Sequence, residues 1–271
     1  MTDDRAIGVF DSGVGGLTVL RALRELLPAE STVYLGDTAR VPYGTRSAAT
    51  VEKYAINNAR TLMQCADLKA LVVACNTATA VALPALRAAL TIPVIGVIEP
   101  GARAAVSASK GGTIVVLGTA GTVRSEAYPR ALHALGHRGD VLARACPLLV
   151  PLVEEGWLGG DIPRLVVKQY LRDLPADTDT VVMGCTHYPL LRPILRAALP
   201  EQVALVDGAV ATARELAALL SERGIARAAP LPMHRLLVTD GPEQLARLSN
   251  TFLGATVEVG AVELVDVVMT A

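Results

Sequence analysis

The sequence predicts an α/β protein with two pseudo-symmetric, open and mainly parallel sheets that face each other across a cleft. Apolar segments of strand length alternate with segments of helix length, which is the pattern of βαβ units. Two of the strand segments end alike, at residues 70–77 and 180–187, where an apolar run gives way to a cysteine and polar side chains. The intervals between corresponding motifs are also similar in the two halves of the chain.

The similar intervals favour an internal duplication of the topology. The chain runs 63 residues from Ser12 to Cys75 and 66 residues from Thr119 to Cys185. Sequence identity between the halves is low, so the duplication concerns the order of elements rather than their residues.

The first predicted domain opens with a strand, a glycine-rich loop and a helix. Its predicted strands lie at residues 6–10, 32–35, 70–74 and 93–98. Its helices are predicted to begin at Leu17, after the N-cap residue Ser47, and at about Thr77. The tail is predicted to add a helix after Gly208, a strand at 235–238, a helix at 242–253 and a short β end. We expect this tail to pack back on the first half, so that the first domain comprises residues 1–98 and 208–271 and carries Cys75.

The second predicted domain repeats the pattern over residues 99–207 and carries Cys185. Its predicted strands lie at residues 113–117, 141–146, 180–184 and 203–206, with helices near 125–128 and over 161–172. In an open parallel sheet, ligands bind at the carboxyl ends of the strands. We therefore expect one site with a thiol on each side.

Composition excludes several classes of function. A net charge of −1 gives no basic footprint for nucleic acid. No apolar run approaches the roughly 18 residues that span a bilayer, and residues 1–5 lack the layout of a signal peptide. The four cysteines form neither a zinc pattern nor a disulfide framework. We expect a soluble, cytoplasmic protein with reduced thiols.

The glycine-rich loop, residues 11–16, is suited to a small anion or amine. Glycines allow backbone N–H groups to cradle an anion, but the loop matches neither the P-loop nor the dinucleotide-binding pattern. Asp11 at the loop entrance would repel a phosphate. A carboxylate or an amino group is therefore the better ligand.

Two thiols that face each other suggest proton transfer. A helix N-terminus beside Cys75 and Cys185 would lower the pKa of each thiol, whereas Cys65 and Cys146 are interpreted as inert core residues. One thiolate can take a proton from one face of a carbon α to a carboxylate, and the other thiol can return a proton to the opposite face. A cysteine hydrolase would leave the second thiol unexplained, a redox pair would leave no room for substrate, and a metal site usually has closer ligand spacing.

Six motifs in order along the chain resemble those of glutamate racemases, within the wider aspartate/glutamate racemase superfamily. The resemblance runs from about residue 7 to residue 208. The Pro-Tyr-Gly loop and the Cys-Thr-His ending favour the glutamate branch. The motifs are Asp11-Ser12-Gly13-x-Gly15-Gly16, Pro42-Tyr43-Gly44, Cys75-Asn76-Thr77, Gly118-Thr119-x-x-Thr122-x-x-Ser125-x-x-Tyr128, Pro151-Leu152-Val153-Glu154-Glu155-Gly156 and Gly184-Cys185-Thr186-His187.

The resemblance implies a racemase that interconverts L- and D-glutamate without a cofactor and supplies D-glutamate for peptidoglycan synthesis. It implies glutamate as the small-molecule partner, no metal, no nucleic acid or membrane in the main function, and a homodimer. None of the six motifs contains a lysine that could anchor pyridoxal phosphate. Asp207-Gly208 departs from the pattern, since relatives often carry a serine after the aspartate.

The resemblance also implies roles for particular residues. Cys75 would abstract the α-proton of D-glutamate with help from Asp11, and Cys185 that of L-glutamate with help from His187 and Glu154. The residues implied to hold the substrate are Asp11, Ser12, Pro42, Tyr43, Gly44, Asn76, Thr77, Thr119, Thr186 and His187.

Other interpretations remain open from the sequence. Asp11 could cap the helix after the loop, His187 could be a structural histidine, Glu154 could be a solvated charge, and Tyr43 could only pack the loop. Aspartate or hydantoin racemisation is the alternative within enzymes. A non-catalytic binding protein, or a racemase that also binds another protein, is the alternative outside them.

Overall fold

The computed structural model describes residues 3–227 and 231–267, and it contains two parallel sheets. The first has the strand order β10-β9-β2-β1-β3-β4 and the second the order β6-β5-β7-β8. The strands are β1 (Ala6–Asp11), β2 (Thr32–Gly36), β3 (Leu68–Val73), β4 (Val94–Gly96), β5 (Thr113–Gly118), β6 (Val141–Ala145), β7 (Thr178–Gly184), β8 (Ala204–Asp207), β9 (His234–Val238) and β10 (Val262–Leu264).

Helices connect successive parallel strands, as crossover connections require. They are α1 (Leu17–Leu26), α2 (Ala48–Cys65), α3 (Asn76–Ala89), α4 (Ile98–Ala108), α5 (Ala120–Arg124), α6 (Ala127–Ala134), α7 (Leu149–Glu154), α8 (Asp161–Tyr170), α9 (Arg192–Ala198), α10 (Gly208–Glu222) and α11 (Pro242–Leu253). Single 3₁₀ turns occupy Thr38–Arg40, Tyr43–Thr45, Tyr188–Leu191 and Val259–Ala261. Within the described ranges, none of these helices is long and apolar enough to cross a membrane.

The first sheet is centred on β1, which pairs with β2 on one side and β3 on the other. All six residues of β3 are buried, as expected for a strand covered on both faces. The tail strand β9 pairs with the outer edge of β2, and β10 pairs with β9. The prediction that the tail packs back on the first half is confirmed.

The second sheet repeats the arrangement with four strands. β5 lies between β6 and β7, and β8 pairs with the far edge of β7. The predicted α/β class with two mainly parallel sheets is confirmed. The domain limits 1–98 plus 208–271 and 99–207 stay a proposal, and their ends at Met1 and Ala271 lie outside the described residues.

Two predicted elements are wrong in detail. The strand expected at residues 93–98 ends at Gly96, and α4 begins at Ile98. Pro100 is compatible with this helix because it lies in the first turn, where proline is tolerated. The helix expected near residues 125–128 is two helices, α5 and α6, separated at Glu126, whose φ of 54° is left-handed. By contrast, the predicted cap at Ser47 is confirmed by its hydrogen bond from the Thr50 N–H.

Candidate active site

A cavity of about 370 Å³ lies where the carboxyl ends of the two sheets meet. Both Cys75 and Cys185 line it, and neither is in a disulfide. Asp11 lies beneath the cavity, 1% exposed, and every other residue of the predicted site forms part of the wall. Those wall residues are Ser12, Pro42, Tyr43, Gly44, Cys75, Asn76, Thr77, Thr119, Glu154, Cys185, Thr186 and His187.

Cys75 is held at the N-terminus of α3. It is the N-cap residue of that helix, and its Sγ accepts a hydrogen bond from the Ala78 N–H at 3.5 Å. The thiol donates to Ser12 Oγ at 3.6 Å. The end of β3 and the start of α3 therefore fix this sulfur from below.

Asp11 places a buried carboxyl group beside Cys75. Its Oδ2 accepts a hydrogen bond from the Gly13 N–H at 2.9 Å, and burial raises the pKa of this carboxyl group. Helix α1 begins after Gly16, whose backbone N–H also hydrogen-bonds to Asp11 and lowers the pKa of its carboxyl group, so Asp11 contacts the start of this helix as well as the site.

The thiol pKa predicted for Cys75 is wrong in direction. Burial, followed by the charge of Asp11, raises the pKa of Cys75 to about 12. The Ala78 N–H of the helix N-terminus does lower the pKa as expected, but it is outweighed. Cys75 is therefore a neutral thiol at physiological pH in the unliganded cavity.

The Cys185 side has an imidazole where the Cys75 side has a carboxyl group. His187 Nδ1 lies 3.8 Å from Cys185 Sγ, and His187 Nε2 lies 3.0 Å from Glu154 Oε1. Burial lowers the pKa of His187, but its hydrogen bonds with Cys185 and Glu154 and their charges raise it to about 10. His187 therefore carries a positive charge at neutral pH, next to the sulfur of Cys185.

Tyr43 anchors the loop that covers the cavity. Its hydroxyl donates to the Asp37 carboxylate and accepts from Asn58 Nδ2 at 2.9 Å, so the polar end is used inside the protein. The next residue, Gly44, lies so close to Thr119 that an added Cβ would be 2.8 Å from the threonine Cβ. The loop thus packs against the opposite wall, and only glycine fits there.

Polar side chains from the two sheets also meet directly across the cleft. Thr77 Oγ1 and Thr119 Oγ1 are 2.8 Å apart, and the buried Tyr128 hydroxyl donates to Asn76 Oδ1 at 2.9 Å. The cavity therefore has hydroxyl and amide groups on both walls.

Sequence reasoning missed the residues that support the wall from behind. Asp37 and Asn58 hold Tyr43, and Phe252 of the tail contacts His187. Asp37 could have been found, because it follows directly after the strand β2 at the carboxyl edge of the sheet. Asn58 and Phe252 lie within helices and carry no comparable signal. In the described part of the chain, no three His, Cys, Asp or Glu side chains converge as metal ligands would.

Two parallel α/β units that each bring a cysteine from a strand end to one cavity define an amino-acid racemase. A family model described as Asp/Glu/Hydantoin racemase matches residues 7–216. The chain belongs to this family.

Relatives and solved structures agree over nearly the whole chain. A glutamate racemase of Geobacter metallireducens is 49% identical over 92% of this chain and 93% of its own length. The crystal structure of a glutamate racemase isoform from Bacillus anthracis has a TM-score of 0.92 at 44% identity, covering 96% of this chain and 97% of that one. A Francisella tularensis glutamate racemase in complex with D-glutamate has a TM-score of 0.90 at 36% identity, covering 97% and 98%.

Proposed function

We propose that this protein interconverts L- and D-glutamate by proton transfer between two thiols, without a cofactor, and so supplies D-glutamate for peptidoglycan synthesis. The observation that carries the proposal is that Cys75 and Cys185 line one cavity while each has its own ionisable neighbour. The names of the relatives, and the D-glutamate bound to the Francisella protein, support glutamate as the substrate.

In the L-to-D direction, Cys185 takes the α-proton of L-glutamate and Cys75 gives a proton to the opposite face. The imidazolium of His187 beside Cys185 stabilises the thiolate that starts the reaction, and Glu154 holds that imidazolium in place. Cys75 begins as the neutral thiol that this direction requires. After the transfer, Cys75 is a thiolate and Cys185 a thiol, so the reverse direction uses the same groups with their roles exchanged.

The substrate itself would complete the charge balance on the Cys75 side. A glutamate α-ammonium group near Asp11 would bring a positive charge to a buried carboxyl group and lower the pKa of both Asp11 and Cys75. Hydroxyl and amide groups of Ser12, Asn76 and Thr77, and those of the opposite wall, are suited to the two carboxylates of the substrate.

The direct test follows the optical activity of L-glutamate, D-glutamate and L-aspartate with purified protein by circular dichroism. We expect both glutamates to decay to zero rotation, aspartate to react far more slowly, and dialysis against a chelator to leave the rates unchanged. A faster reaction with aspartate than with glutamate would overturn the assignment of glutamate as the substrate. Activity that returns only with pyridoxal phosphate or a metal would overturn the mechanism.

We further propose a cytoplasmic homodimer that needs neither nucleic acid nor a membrane for this activity. Four free cysteines suit a reducing compartment. The homodimer rests on the resemblance to glutamate racemases, and light scattering at assay concentration tests it directly. A mass of one chain would exclude it.

A further inference from the structure

The tail of the chain reaches across the cleft to the Cys185 side of the site. Helix α11 packs on α1, and its Phe252, 1% exposed, sets its ring against the His187 imidazole. The two ring centroids are 5.3 Å apart at an interplanar angle of 84°, which is the edge-to-face arrangement that aromatic rings prefer. Arg247 of the same helix places Nη1 3.4 Å from the backbone oxygen of Glu154.

The remaining sides of the His187 ring are also occupied. Nδ1 faces Cys185, and Nε2 faces Glu154. The edge at Cε1 lies against Gly15, where an added Cβ would be 2.4 Å from that atom. Phe252 therefore adds an apolar contact to an imidazole whose two nitrogens are held by polar partners.

We propose that Phe252 is a positioning residue that holds the His187 imidazole in line with Cys185 and Glu154. The inference rests on the proposed function, because it assigns to Phe252 a role in only one of the two proton transfers. Hydrogen bonds weaken steeply with misalignment, and the Sγ–Nδ1 distance of 3.8 Å leaves little margin for rotation of the ring. Phe252 itself does not line the substrate cavity.

A reaction that needs only one of the two proton transfers can report on each thiol separately. A glutamate analogue with chloride on Cβ needs only abstraction of its α-proton. The electron pair of the broken Cα–H bond then forms a Cα=Cβ double bond as chloride leaves with the Cβ–Cl pair. The resulting enamine tautomerises to an imine, which water hydrolyses to 2-oxoglutarate and ammonium. The L-analogue would report abstraction by Cys185, and the D-analogue abstraction by Cys75.

The test compares Phe252→Leu, Phe252→Met and Phe252→Tyr with the unchanged protein. We expect the Leu and Met variants, which lack the ring, to lose about tenfold in kcat/KM on the L-analogue and less than about twofold on the D-analogue. Phe252→Tyr keeps the ring, and Phe252 lines an open cavity of about 220 Å³, so this variant should retain the L-to-D ratio of the unchanged protein.

Leu245→Ala is the matched control. Leu245 is buried on the same helix, about 10 Å along its axis from Phe252. Its truncation should lower the melting temperature without changing the ratio of the two elimination rates. Phe252→Leu and Phe252→Met both keep a large apolar side chain at this position, so the ratio can be measured with one variant if the other does not fold.

The outcomes separate this inference from the proposed function. An unchanged ratio in Phe252→Leu and Phe252→Met, or an equal fall on both analogues, would overturn the positioning role. If the unchanged protein racemises no glutamate, the proposed function fails instead.

Discussion

The two thiol sides of the cavity share a topology but differ in chemistry. Each cysteine follows the carboxyl end of a strand that pairs with the first strand of its sheet, β3 with β1 and β7 with β5. Cys75 then caps the 14-residue helix α3, whereas Cys185 lies in a bend that leads through a turn to the 3₁₀ turn Tyr188–Leu191. A buried carboxyl group neighbours the first sulfur, and a hydrogen-bonded imidazole neighbours the second.

The difference shows that a duplicated scaffold can place a different ionisable neighbour beside each of two corresponding thiols. Asp11 and burial keep Cys75 protonated, while His187 supplies a positive charge beside Cys185. A racemase needs one acid and one base at the start of each turnover, so this asymmetry supplies what two identical sides could not. In this account, the unliganded protein has the protonation state that the reaction of L-glutamate requires. For D-glutamate, Cys75 must first lose its proton.

Removal of either thiol should have the largest effect. We expect Cys75→Ala and Cys185→Ala each to lower racemisation by at least about 10³-fold. Because the two enantiomers have equal free energy in water, the loss in kcat/KM must be the same in both directions. Polarimetry from each enantiomer measures it, with Cys65→Ala as the control for loss of a cysteine outside the cavity. A cavity cysteine that can be replaced without loss would remove the two-thiol account.

Alkylation should distinguish the two sulfurs next. With a pKa of about 12, Cys75 at pH 8 should react at least several hundred times more slowly than an ordinary thiol, and its rate should rise with pH up to about 12. The pKa of Cys146 is likewise raised to about 12 by burial, so it should behave in the same way. We expect Cys185 to react faster than either, and glutamate to protect it. Peptide mapping by mass spectrometry after timed labelling would refute the asymmetry if Cys75 reacted first.

The neighbours of the thiols should have smaller and opposite effects. Asp11→Asn should lower elimination from the D-analogue by about 10²-fold and spare the L-analogue, because Asp11, whose pKa burial raises, is the group that can take the proton of Cys75 in that direction. His187→Asn should do the reverse. The pKa of His187 is raised, so its charge is present below about pH 10 and is lost above it. Elimination from the L-analogue should therefore fall as the pH rises through about 10, and that fall should be absent in His187→Asn. An equal decrease in the rate of elimination from both analogues, in either variant, would contradict separate roles for Asp11 and His187.

Glu154→Gln should have the smallest effect. The glutamate side chain is 31% exposed, so water screens its charge, and glutamine keeps an oxygen that can accept from His187 Nε2. We expect the rate of elimination from the L-analogue to drop a few fold. We also expect the decrease of this rate at high pH to begin at a lower pH than in the unchanged protein. Glu155→Gln, next in sequence, is the control and should change neither value. Equal effects of the two variants would show that Glu154 acts only as surface charge.

Much of this comparison could be predicted from the sequence, and the limits have physical causes. The apolar runs that end at Cys75 and Cys185 locate both strands, because burial and strand ends are local properties. The direction of the Cys75 pKa could not be predicted, since it depends on how deeply Asp11 and the sulfur are buried together. Phe252 could not be found either, because it contacts His187 only through the packing of the tail helix. The early end of β4 was missed because an apolar run continues from strand into helix.

The central claim is that each thiol serves one face of the substrate, and elimination by the cysteine variants tests it most directly. Release of 2-oxoglutarate from the Cβ-chloride analogues is measured for each enantiomer with Cys75→Ala and with Cys185→Ala. The account predicts that Cys75→Ala still consumes the L-analogue and that Cys185→Ala still consumes the D-analogue, with the other two combinations at least about 10²-fold slower. Equal loss on both analogues in both variants would contradict the claim that the thiols act as separate bases, and the reversed pattern would exchange the two faces.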